Sequence, residues 1–89
     1  VTLILKTEKE SKKKSVEIQK GDTVLDVLEE VYSVQENDGF ITEIDGISQD
    51  KDKGIYWRFD VNGKLGEKAA NQLKVEDGDE IKFYQEKYN

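Results

Sequence analysis

The dipeptide Asn62-Gly63 closes an alternating aromatic run, Ile55-Tyr56-Trp57-Arg58-Phe59-Asp60-Val61. No other feature limits the fold as sharply. A type I′ turn needs positive φ at both central residues, and Asn-Gly accepts that geometry readily. The run is therefore a strand that reverses at Asn62-Gly63. Within it Trp57, Phe59 and Val61 share one face, and Tyr56, Arg58 and Asp60 share the other. The first set is expected in the core and the second on the surface.

A second block, Gly21-Asp22-Thr23-Val24-Leu25-Asp26-Val27-Leu28, supplies a helix. Thr23 is a good N-cap, and Asp26 three residues later completes a capping-box-like spacing. Val24, Leu25, Val27, Leu28 and Val31 form one apolar stripe, which predicts a helix fading near Tyr32 to Val34. In a domain this small the stripe must cover a sheet.

Alternation predicts further strands. Val1 to Thr7 is the first, and Ser15 to Gln19, where Val16 and Ile18 alternate with polar residues, the second. Glu8 to Lys14 lies between them as a charged connector. Its Lys12-Lys13-Lys14 run suits a solvated hairpin loop, with a polyanion patch as the alternative. Glu36-Asn37-Asp38-Gly39 predicts a turn, Phe40 to Asp45 a third strand, and Ile47 to Lys53 an irregular polar segment. Gly66 to Gln72 is expected to form a short helical turn, and Glu80 to Tyr84 the last strand. This order implies an α+β, β-grasp-like fold. A mixed sheet of about five strands would carry one main helix on one face, with residues 1–89 forming a single domain.

Composition removes several functions. The chain of 89 residues has no Cys and no His. That excludes disulfides, thiolate metal sites and iron–sulfur clusters, and it removes the commonest general base. Fourteen basic against twenty acidic residues give a net charge of −6, unlike the basic footprint a phosphate backbone demands. No apolar run approaches the roughly 20 residues needed to span a bilayer. Because the chain begins at Val1, it is expected to be a processed fragment whose export signal lies outside it. No Ser, Thr or Lys sits in a nucleophile motif, so no enzymatic activity is expected. The C-terminal Glu86-Lys87-Tyr88-Asn89 also lacks the Gly-Gly needed by a ubiquitin-like sulfur carrier.

Two groups of residues are candidates for chemistry. Tyr56 and Arg58, on the open face of the aromatic strand, could stack on a flat ligand or pair with an anionic group. Trp57 is a third ligand-binding candidate, although alternation turns it inward. The other group is acidic. Asp50 and Asp52 match the first two oxygen positions of a calcium loop. Gly54, Ile55 and Val61 then stand where the remaining ligands and the loop glycine belong, and Lys51 and Lys53 oppose a cation. What remains is a weak divalent-cation site built from Asp45, Asp50 and Asp52.

Five blocks carry a family resemblance: VTLIL from Val1, GDTVLDVLE from Gly21, GFITEIDGI from Gly39, YWRFDVNGK from Tyr56 and DGDEIKFY from Asp77. Together they resemble the transcobalamin-like C-terminal domain family, over nearly the whole chain. The resemblance implies a β-grasp-like domain of cobalamin carriers and of bacterial exported or surface-anchored proteins. It implies a non-catalytic module that acts as an accessory lid for a corrinoid-like ligand held mainly by a separate helical domain. Its partner would be that small molecule or another domain, and its location extracellular or at the cell surface. One stretch departs from the family. Before the third strand only Glu36-Asn37-Asp38-Gly39-Phe40 stands where members often have more aromatic and Gly residues, so no ligand contact is carried over there. A structural or adhesive surface domain, and the weak divalent-cation binder, remain as alternatives.

Overall fold

Alternating apolar residues in the first, last and aromatic strands turn one sheet face inward, and the other elements close over it. The computed structural model describes residues 1–66 and 68–87. In chain order the elements are β1 (Thr2–Lys6), β2 (Ser11–Ser15), α1 (Val24–Val31), β3 (Val34–Asn37), β4 (Phe40–Ile44), β5 (Ile47–Ser48), β6 (Ile55–Val61), β7 (Lys64–Leu65) and β8 (Glu80–Lys87). Five of them form a sheet in the order β2-β1-β8-β6-β7, and β3-β4-β5 form a second, smaller sheet. Strand β1 runs parallel to β8, and β6 pairs with β8 antiparallel. The expected mixed sheet of five strands is present. The architecture is nevertheless mostly strand: α1 has eight residues, and β3-β4-β5 add a second sheet.

The capping box forms as its spacing predicts. Thr23 Oγ1 accepts from the Asp26 N–H at 3.2 Å, and Asp26 Oδ2 accepts from the Thr23 N–H at 2.9 Å. Two further amides at this end are satisfied from outside the helix, Val24 N–H by the Leu73 carbonyl and Leu25 N–H by the Ala70 carbonyl. Val24, Leu25, Val27 and Leu28 are buried in one cluster with Leu3, Leu5, Ile44, Trp57, Ile81 and Phe83. Of the helical turn expected over Gly66 to Gln72, one loop is present, closed by Leu73 N–H on the Ala69 carbonyl at 3.2 Å. Glu67 lies outside the described residues.

Three expectations need correction. The second strand is Ser11–Ser15, so the lysine run lies in a strand and not in a loop. It pairs Leu3 with Lys14 and Leu5 with Lys12 at the border of the sheet. Lysines suit such a border because they discourage another chain from pairing there. Val16 owes its burial to a clamp at the chain start. Its N–H donates to the Val1 carbonyl, and the N-terminal ammonium donates to the Val16 carbonyl. Second, Val34–Asn37 is a strand, and the reversal is confined to Asp38-Gly39. Third, Ile47 and Ser48 are not irregular; they pair with β4 across Asp45-Gly46. Both Asp-Gly pairs have positive φ at both residues, 50° and 85° in the first, 51° and 81° in the second. Asn62-Gly63 matches them at 53° and 81°, as the opening argument required.

Candidate functional site

Trp57 sits where alternation placed it, 7% exposed on the inner face of β6. Its Nε1–H donates to the Ile47 carbonyl at 2.9 Å. Gln85, its cross-strand partner on β8, donates through Nε2 to the Ser48 carbonyl at 2.9 Å. Two neighbouring side chains of the large sheet thus hold consecutive carbonyls of β5. This anchor fixes the small sheet against the large one and sets the position of β4.

β4 begins immediately after the Asp38-Gly39 turn, at Phe40, whose cross-strand partner is the polar Asn37. With no apolar neighbour opposite, the Phe40 ring stands in solvent at 70% exposure. Leu65, in the two-residue β7, is 49% exposed. Phe40, Ile41 and Trp57 are common to two adjoining depressions. One, of about 240 Å³, continues to Leu65, Gly66, Lys68 and Arg58. The other, of about 340 Å³, continues to Thr42, Gln49, Lys51 and Tyr56. Glycine is needed in the first. A Cβ on Gly39 would strike the Asn71 side chain, and one on Gly66 would strike the Phe59 ring.

All three ligand-binding candidates of the sequence therefore border these depressions, Trp57 both of them, Arg58 the first and Tyr56 the second. Arg58 also pairs with Glu86, Nη1 to Oε2 at 2.8 Å. Phe40 and Leu65 were not foreseen. The available signal for Phe40 was its place directly after a type I′ turn, opposite a polar residue. A different depression, of about 480 Å³, lies beside Lys6, Asp60, Lys82 and Tyr84. There the Tyr84 hydroxyl donates to Asp60 Oδ1 at 3.0 Å. Burial, and then this bond, raise the Tyr84 phenol above its ordinary value.

The acidic candidates are not assembled. Among the described residues no three acidic side chains are grouped to hold a metal ion. Asp45 occupies a positive-φ turn position and lies 3.7 Å from the Lys12 ammonium. Asp50 Oδ1 accepts from the backbone N–H groups of Asp52 and Lys53, and its own N–H and carbonyl bridge to Ile55. Its carboxylate organises the turn.

The family model of the domain of unknown function DUF4430 matches residues 21–87. The chain belongs to the DUF4430 family. No curated protein matches it. Among solved structures, this DUF4430 chain is similar to a "putative metal binding protein" from Ruminococcus gnavus ATCC 29149. That pair shares 19% identity and a TM-score of 0.82 over 99% of this chain and 96% of the other. It is also similar to haptocorrin in complex with Cbi, at 19% identity and a TM-score of 0.81 over all of this chain. The DUF4430 chain spans 25% of that haptocorrin chain. At such identities the likeness concerns the fold. The resemblance drawn from the five sequence blocks therefore stands as an architecture shared with a quarter of the haptocorrin chain, within a DUF4430 membership.

Proposed function

We propose that this DUF4430 domain is a non-catalytic recognition module of an exported protein, an accessory lid over a flat ligand of the corrinoid type. The observation that carries the proposal is Phe40. A phenyl ring exposed beside Leu65, over depressions walled by Trp57, forms a contiguous apolar surface of the kind that marks binding sites. Aromatic faces of this sort stack on flat partners. Haptocorrin, a quarter of which has the same architecture, was crystallised with Cbi, and this supports the choice of ligand class.

Both depressions are shallow and open, whereas a complete small-molecule site encloses most of its ligand. The domain by itself should therefore bind weakly, as a lid does. In a heteronuclear NMR titration, cobalamin should shift Phe40, Ile41 and Trp57 with a Kd of about 100 μM or weaker, roughly −5.5 kcal/mol. Phe40→Ala should weaken binding further. Absence of any shift at about 1 mM would refute the site and favour a structural role. Sub-micromolar affinity would refute the lid and require a fuller site.

A further inference from the structure

The charges of this chain are sorted by location. A depression beside α1 is lined by Glu17, Asp22, Asp26, Glu29 and Glu30, with no described base. In the lining of the two Phe40 depressions the opposite holds. Among the described residues, the charged side chains of the two depressions are Arg58 and Lys68 in one and Lys51 in the other, with no acid. This occurs in a chain with six more acids than bases. Arg58 is engaged by Glu86. Lys51 and Lys68 are exposed, and among the described residues neither is held in an ion pair.

From this juxtaposition we infer that the ligand of the Phe40 cleft is an amphipathic anion: a small molecule with a flat apolar body and a carboxylate or phosphate group. The inference rests on the binding role proposed above and adds the ligand's charge. The apolar body lies on Phe40 and Leu65, and the anionic group meets Lys68 or Lys51 at the rim. At about 0.1 M salt the screening length is roughly 10 Å. Remote carboxylates are then damped, while the rim lysines still act; the nearby Glu36 carboxylate is occupied by the Gly39 N–H, which donates to it at 2.6 Å.

The test compares 1-pyrenebutyrate with 1-pyrenebutanol, which share a flat apolar body and differ in charge. Binding is followed by NMR shifts at Phe40 and Ile41 and by pyrene fluorescence. At about 0.1 M salt the carboxylate should bind about 5-fold more tightly than the alcohol, equivalent to roughly 1 kcal/mol and within reach of exposed pairs. The ratio should approach one at about 1 M salt, where screening shortens to roughly 3 Å. The double variant Lys51→Gln, Lys68→Gln should abolish the preference, with unchanged Leu28 and Phe83 shifts reporting an intact core. Equal binding of the two probes, or a preference that survives the double variant, overturns the charge inference but leaves the cleft as a site. Failure of both probes to shift Phe40 overturns the cleft itself, and the inference with it.

Discussion

Replacing Trp57 with Phe tests whether the small sheet is held by the paired anchor on β5. The substitution removes the Nε1–H donated to Ile47 and keeps an aromatic ring in place. Loss of one internal hydrogen bond costs roughly 0.5–1.5 kcal/mol net. Phe also buries roughly 40 Å² less apolar surface than Trp, about 1 kcal/mol at ~25 cal/mol per Å². The sum is about 2 kcal/mol. In a domain of this size that lowers Tm by roughly 8–16 °C. Urea unfolding followed by far-UV circular dichroism gives the stability change. Amide exchange locates it, with faster exchange expected at the Gln49 N–H, which donates to the Thr42 carbonyl beside β5. Gln85→Ala removes the companion bond to Ser48 and should cost about 0.5–1 kcal/mol. The double variant should cost less than the sum, because either change alone releases the same strand. A Trp57→Phe loss below about 0.5 kcal/mol, or unchanged exchange at Gln49, would refute the anchor.

Other expectations follow from single residues. Leu28 is fully buried, so Leu28→Ala should cost about 2–5 kcal/mol by urea unfolding, and a loss under about 0.5 kcal/mol would contradict its place in the core. Gly63 has open space around a Cβ but a φ of 81°, so Gly63→Val should lose about 1–2 kcal/mol through backbone strain alone, and Gly63→Asn markedly less. Tyr84 and Tyr32 are both raised from 10.0, burial being the first cause in each. The folded state thus favours their neutral forms. Their contribution is intact below pH 10.0 and is lost as pH climbs through the raised values. Ultraviolet titration should show late-ionising phenols, one of which disappears in Tyr84→Phe.

Local chemistry was legible where a few neighbouring residues decide the outcome. Thr23 with Asp26, and Asn62 with Gly63, carry their instructions within four residues, and the structure follows both. β2 was not legible because its strand character comes from pairing with β1, while its own residues are three lysines between two serines. Val16 misled for the complementary reason: it is drawn in by the chain-start clamp, just beyond the strand Ser11–Ser15. The site divided in the same way. Alternation within β6 sorted Trp57 from Tyr56 and Arg58. The exposure of Phe40 had a local signal, its place after the Asp38-Gly39 turn opposite Asn37, but its position beside Leu65 depends on how the small sheet is seated.

The parallel pairing of β1 with β8 has a kinetic consequence. The last strand occupies the middle of the large sheet, between β1 and β6, and its register joins Thr2 to Glu80. Nearly the entire chain must be looped before that central pairing can form, and its closure entropy is lost before any contact compensates. Hairpins such as β1–β2 and β3–β4 can form early, but the sheet cannot consolidate around them without β8. On a ribosome this chain must therefore emerge almost completely before it gains stability. Until then the apolar faces of β1 and β6 wait in water, which makes the interval before β8 arrives the period of greatest exposure to aggregation and proteolysis.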